Sequence, residues 1–207
     1  MSKIAVGRVD QAGMDMKNKI LETASDLFYN MGVRAVGVDL VVEKAGVAKT
    51  SLYRHFGTKD DLVAAFLERE DRAFWEIWDR VARRHAADPK GQLRGQLKWI
   101  GERAGQASYR GCPQLNVAAE FPEIEHPARK VATSHKRELR RRLKVIAGQL
   151  NVAAPDLLAG QLAVLINGAF VSSQIFERRE AVELLQQAAD ALIAANIAVH
   201  NDSHTQV

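Results

Sequence analysis

The sequence is poor in cysteine: Cys112 stands alone among 207 residues. A lone thiol excludes an intrachain disulfide framework and a zinc site built from several cysteines, and it fits a reducing compartment. Prolines number five, all beyond residue 88, and aromatic residues make up 6%. No segment alternates apolar and polar residues with β-branched enrichment, so the strand signal is missing. Neither charge sign dominates, with 29 Lys plus Arg against 25 Asp plus Glu. Long hydrophobic runs are missing too. The longest uncharged stretch, Leu157–Phe176, contains Gln161, Asn167, Ser172, Ser173 and Gln174. That polarity argues for a buried helix rather than a membrane span. Residues Met1–Met16 lack the apolar core of a signal peptide, so the cytoplasm is the expected location.

What is present is helical periodicity. Ile20, Ala24, Leu27, Phe28 and Met31 recur at helical spacing over 17–31, and Gly32 follows as a helix-ending residue. Short helices are expected over 38–45 and 49–56, joined by Gly46-Val47-Ala48. Thr58, followed by Asp60 and Asp61, has the chemistry of a helix start and opens a long helix to about 87. Pro89, Pro113, Pro127 and Pro155 punctuate the remainder into helices. The fold class is all-α.

The mild net charge becomes local between Lys44 and Lys59. Every charged residue there is positive: Lys44, Lys49, Arg54 and Lys59. Two short helices joined by a glycine-containing turn, the second one basic, fit a helix-turn-helix. Such a unit presents polar side chains of its second helix to the major groove.

The stretch Gly46-Val47-Ala48-Lys49-Thr50-Ser51-Leu52-Tyr53-Arg54-His55-Phe56, followed by Lys59 and Leu62, resembles the signature of TetR-type transcriptional regulators. Upstream, Ala24, Phe28 and Gly32 match that family's first helix. The resemblance implies an N-terminal three-helix DNA-binding domain with a helix-turn-helix, plus a larger C-terminal helical ligand-binding and dimerisation domain. It divides the chain into a flexible tail (1–16), the DNA-binding domain (17–65), the effector and dimerisation domain (66–200) and a second flexible tail (201–207). It also implies residue roles. Lys49, Thr50 and Ser51 stand where base edges are met. Tyr53 and His55 match a phosphate-contacting pair, Arg54 serves backbone or guanine, and Lys59 serves a phosphate at a helix start. Gly37 departs from the pattern, since many members carry Thr or Ser there.

The residues beyond this unit support two further expectations. Small residues form ridges on the last two helices. One ridge is Gly160, Val164, Gly168 and Ser172, and the other includes Leu184, Ala188, Ala191 and Ala195. Small ridges let helices approach closely, and an apolar second face on the final helix predicts a homodimer interface. Two-fold symmetry then matches a palindromic double-stranded operator with half-sites about 34–36 Å apart, or a multiple of that. Aromatic walls with a few polar groups describe a small-molecule pocket. Trp78, Trp99, Cys112, Asn116, Glu120, His135 and Phe170 are its candidates, for a small, largely apolar effector. Core packing is the plainer reading of each of these aromatics.

A second basic cluster, Arg129, Lys130, Lys136, Arg137, Arg140, Arg141, Arg142 and Lys144, leaves its helix's apolar stripe free and reads as a solvated face. His200 and His204 are too few for a metal site. No glycine-rich phosphate loop, nucleophile elbow or paired metal-ligand motif occurs, so no enzyme activity, cofactor or metal is expected. The reading is a homodimeric, ligand-responsive repressor; the alternatives are an effector-independent DNA-binding protein or a helical enzyme.

Overall fold

A computed structural model describes the backbone of residues 3–172, 175 and 177–204. Among the described residues nine α-helices follow one another without a strand: α1 (Lys3–Met31), α2 (Val38–Ala45), α3 (Lys49–Phe56), α4 (Lys59–Arg84), α5 (Pro89–Ala104), α6 (Pro113–Glu120), α7 (Pro127–Gly148), α8 (Pro155–Val171) and α9 (Arg178–His204). Four of the five prolines open helices, where a missing N–H costs nothing. The helix start at Thr58 is reciprocal. Thr58 Oγ1 accepts from the Asp61 N–H at 3.1 Å, and Asp61 Oδ2 accepts from the Thr58 N–H at 3.0 Å. At α5, Asp88 accepts from the Gly91 N–H at 2.9 Å, just before Pro89. At the expected tails α1 reaches back to Lys3 and α9 forward to His204, while 1–2 and 205–207 lie outside the described residues.

The chain divides into two compact units. The first comprises Met1–Asp71 and Pro113–Thr133; the second comprises Arg72–Cys112 and Ser134–Val207. The division therefore differs from the contiguous break expected at residue 66. The physical reason is packing. Val117, Ala128 and Ala132 join the first unit's core beside Ile20, Phe28, Leu52, Phe56 and Phe66. Burying a side chain the size of Val117 contributes roughly 1.5–3 kcal/mol, and each alanine methyl roughly 0.8 kcal/mol. Gln114 adds a buried hydrogen bond, its Nε2 donating to the Leu67 carbonyl at 3.0 Å.

In the second unit α5 packs on α9 and α8, and α8 on α9. Leu93, Leu97, Ile100, Leu139, Leu143, Leu162, Ile166 and Phe170 form its buried interior with Trp78. Gly101 allows the closest approach, since a Cβ there would lie 2.8 Å from the Val182 Cα. Most basic residues of α7 are exposed, and several of them are also paired. Arg141 and Arg142 both donate to Glu138 at 2.7 Å, and Lys144 reaches Asp156 at 2.5 Å. Arg142 also bonds Asp79 and lies over the Trp75 ring at 4.3 Å. Beside this pair of guanidiniums the Glu138 carboxyl falls to a pKa of about 2, chiefly through its hydrogen bond with Arg141.

Candidate nucleic-acid interface

The α2–α3 turn depends on Gly46, whose φ of 62° and ψ of 44° are left-handed. A side chain there would be strained. Its N–H returns to the Glu43 carbonyl at 3.1 Å, and that of Val47 to the Val42 carbonyl at 3.1 Å, closing α2. Ala48 then begins α3 without a side-chain cap. Within α3, Leu52 and Phe56 are buried in the first unit's core. Lys49, Thr50, Tyr53 and Arg54 are exposed, and Ser51 is half-buried. One face thus anchors the helix while the other offers a phenol, a hydroxyl and two cations. The two members of the Tyr53–His55 pair differ: Tyr53 is 43% exposed, whereas His55 Nε2 is buried with no hydrogen-bond partner among the described residues. Tyr53 is the outward member.

Lys59 is half-buried, and its Nζ donates to the Val33 carbonyl at 2.8 Å. An ammonium has three donors, so two are left for another acceptor. The backbone around Val33 is also held by Glu120. That carboxylate accepts from the Val33 N–H at 3.0 Å and from the Arg34 N–H at 2.7 Å. Both donors follow Gly32, whose φ of 87° turns the chain out of α1. Arg34 lies over the Phe121 ring at 5.6 Å. Phe121 stacks on His126 at 4.1 Å, and His126 Nε2 lies 3.4 Å from Asp60. Segment 113–133 therefore braces the turn leading into α2. Glu120, expected among the pocket residues, is engaged here instead, and Asn116 is exposed on the same helix.

Asp39 was not singled out from sequence. It lies in the first turn of α2, and its Oδ1 meets Lys49 Nζ at 2.7 Å. This hydrogen bond raises the Lys49 pKa above its ordinary value. Lys17 and Lys19 on α1 also border the unit: Lys17 Nζ sits 5.6 Å from the Phe56 ring centroid, and both lysines are exposed.

A family model described as bacterial regulatory proteins, tetR family, matches residues 20–66, which hold α2, α3 and their flanks. The transcriptional repressor SCO4008 of Streptomyces coelicolor is 31% identical over 170 residues, covering 77% of this chain and 80% of that protein. The chain belongs to the TetR family. The transcriptional activator FasR of Mycolicibacterium smegmatis is 38% identical over 85 residues, which is 41% of this chain but only 38% of that protein. The crystal structure of SCO4454, a TetR-family regulator from Streptomyces coelicolor, superposes with a TM-score of 0.83 at 25% identity. It covers 88% of this chain and 96% of that one.

In this TetR-family chain the remaining candidate residues fall in the second unit. Phe74 organises an aromatic cluster, with ring centroids 4.9 Å from Trp99, 4.9 Å from His135 and 6.1 Å from Trp78. Cys112 and Phe170 gather around Lys136. Its Nζ is 3.4 Å from Cys112 Sγ, 5.5 Å from the Phe170 centroid and 2.9 Å from Asn167 Oδ1. Cys112 is buried. On the solvent side of α8 and α9, Val164 is 73% and Leu184 43% exposed. Gly168, Ala191 and Ala195 are exposed there too, with Gly160, Ser172 and Ala188 half-buried. Gly168, Ser172, Leu184 and Ala188 contribute to a concave apolar surface of about 290 Å³.

Proposed function

We propose that this TetR-family chain is a homodimeric, effector-responsive transcriptional repressor acting in the cytoplasm on a palindromic operator. The observation that carries the reading is the two-faced α3. Leu52 and Phe56 fix the helix to the core, and Lys49, Thr50, Tyr53 and Arg54 project from the opposite face. A helix held this way can enter the major groove with its first residues on base edges and its later ones on phosphates. In this reading Lys49, Thr50 and Ser51 meet bases, and Tyr53, Arg54 and the remaining donors of Lys59 hold the backbone. Repression is preferred because SCO4008, named a repressor, is matched over most of its length, whereas the activator FasR is matched over a minor part.

The exposed apolar ridges of α8 and α9 make the dimer interface in this proposal. Val164 at 73% exposure is a poor solvent-facing residue unless a partner covers it. The aromatic cluster around Phe74 takes the effector. A small apolar molecule there shifts the regulator only by binding one conformation of the dimer more tightly than the other. The test is selection from random double-stranded DNA by the full chain. The expected pool holds inverted half-sites, and a pool with no enriched sequence overturns the proposal.

A further inference from the structure

We infer that Asp39 and Lys49 act together as a specificity element, reading the amino-to-keto polarity of one base pair in each half-site and preferring cytosine under Asp39 with guanine under Lys49. The inference rests on the reading of α3 as the helix that enters the major groove. Lys49 is the first residue of α3, the end of a recognition helix that meets base edges, and Asp39 in the first turn of α2 reaches that same end through its contact with Lys49. Stability accounts for little of the pair: a carboxylate in the first turn of α2 gains only modestly from the helix dipole. Its side chains are 51% and 82% exposed, and exposed ion pairs contribute little. An acidic group placed there also repels phosphate. Its position therefore calls for a partner that donates a hydrogen bond, and the groove offers one only at amino groups.

The spacing fits that demand. Asp39 Oδ1 and Lys49 Nζ are 2.7 Å apart. In a cytosine–guanine pair the N4 amino donor and the O6 acceptor are themselves hydrogen-bonded, about 2.9 Å apart. A carboxylate over N4 and an ammonium over O6 thus match the pair without separating from each other. Guanine adds N7 beside O6 as a second acceptor for the ammonium. An adenine–thymine pair has the same amino-to-keto order but places the adenine N7 acceptor beside the carboxylate, so it ranks second. Either pair reversed sets the carboxylate against a carbonyl oxygen and ranks last. Water hides these differences while both groups are solvated; docking on the groove removes it.

The experiment selects operators with the wild-type chain, then measures binding of the selected site and of its variants at that pair by wild-type, D39N, D39E and K49M proteins. Wild-type and D39E are expected to prefer cytosine–guanine over its reversal by roughly 5- to 150-fold, the range of a good base contact. D39N is expected to lose most of that preference. It also frees Lys49 for phosphate, so its non-specific binding should steepen against salt by about 0.9 in log–log slope per protomer. Unchanged thermal midpoints establish that D39N folds. If D39N keeps both the wild-type preference and the wild-type slope, Asp39 is merely a helix-start residue and the inference falls. If the wild-type chain enriches no palindrome, the operator reading itself fails, which is a separate result.

Discussion

Replacing Glu120 with alanine removes the acceptor of two charge-assisted hydrogen bonds, from Val33 N–H at 3.0 Å and Arg34 N–H at 2.7 Å. The two losses are unequal. Val33 is fully buried, so its N–H gains little water in exchange. Arg34 is exposed and its N–H rehydrates. A bond to a charged group contributes about 1.5–3 kcal/mol where water is excluded, and an exposed one contributes less than about 1 kcal/mol. The sum is roughly 2–3 kcal/mol, placed on the turn that leads into α2. For a chain of this length, about 2–4 °C of midpoint accompany each kcal/mol, so E120A should melt lower by about 4–12 °C. Native-state hydrogen exchange locates the effect: the Val33 amide should exchange at least tenfold faster while amides in the α5–α9 packing stay protected. E120Q should fall between, because one amide oxygen still accepts while its NH₂ group faces a second donor. Unchanged Val33 exchange in E120A would refute the claim that this carboxylate secures the turn, whatever the change in midpoint.

The other predictions address separate surfaces. Y53A should weaken operator binding about equally across sequences, because phosphate contacts carry little sequence information; a gel-shift affinity equal to wild-type would place the backbone-facing side of α3 elsewhere. G101A should cost about 1–3 kcal/mol by overpacking against Val182, seen as a lower denaturant midpoint, whereas G148A, with nothing within 4 Å of its added Cβ, should not lower it. V164D should yield monomers in sedimentation without loss of helical signal, since Val164 is 73% exposed in the single chain; a dimer that persists unchanged would move the interface off α8. The Glu138 carboxyl, lowered from 4.5 to about 2, lends stability that is present above pH 4.5 and lost as pH falls from there towards 2. Wild-type and E138Q should therefore differ in denaturant midpoint at pH 7 and converge near pH 2, by no more than about 1 kcal/mol for a pair this exposed.

Much of the first unit's helix-turn-helix was legible because its determinants are local. The left-handed Gly46, the buried Leu52 and Phe56 and the reciprocal Thr58–Asp61 start all lie within a few residues of what they control. Glu120 was misplaced for the opposite reason. Its four-residue spacing from Asn116 fixes a shared side of α6 but not what that side meets, and its partners lie 86 and 87 positions earlier. Asp39 escaped notice because its meaning depends on how α2 crosses α3, which joins residues ten apart at 2.7 Å. The expected break at residue 66 follows the chain, whereas the compact units include a segment that returns, 113–133, which boundaries read along a sequence cannot represent. The start of α1 was placed late, at residue 17, because 3–16 carry no apolar stripe; helical backbone there needs none.

The backbone around Val33 is held from two elements. In the Val33–Arg34 peptide the carbonyl accepts from Lys59 at the start of α4 and the N–H donates to Glu120 at the end of α6. In the preceding peptide the Val33 N–H also donates to Glu120, so both planes that follow the left-handed Gly32 are fixed. Lys59 is also a proposed phosphate contact, so a phosphate and the Val33 carbonyl draw on the same ammonium. Three donors satisfy both only if the peptide stays in place. A rotation that breaks the Glu120 contact would therefore also change what Lys59 offers to DNA. α4 runs without interruption from Lys59 to Arg84 and carries Phe74 and Trp78 of the aromatic cluster. A helix fixed at one end by this backbone, and lined further along with the rings proposed to receive an effector, would give the proposed ligand binding a covalent route to the proposed operator contact. To break the Glu120–Val33 contact, the proposed ligand's preference for one state need only exceed about 1.5–3 kcal/mol, which lies within the range of coupling energies that such switches use.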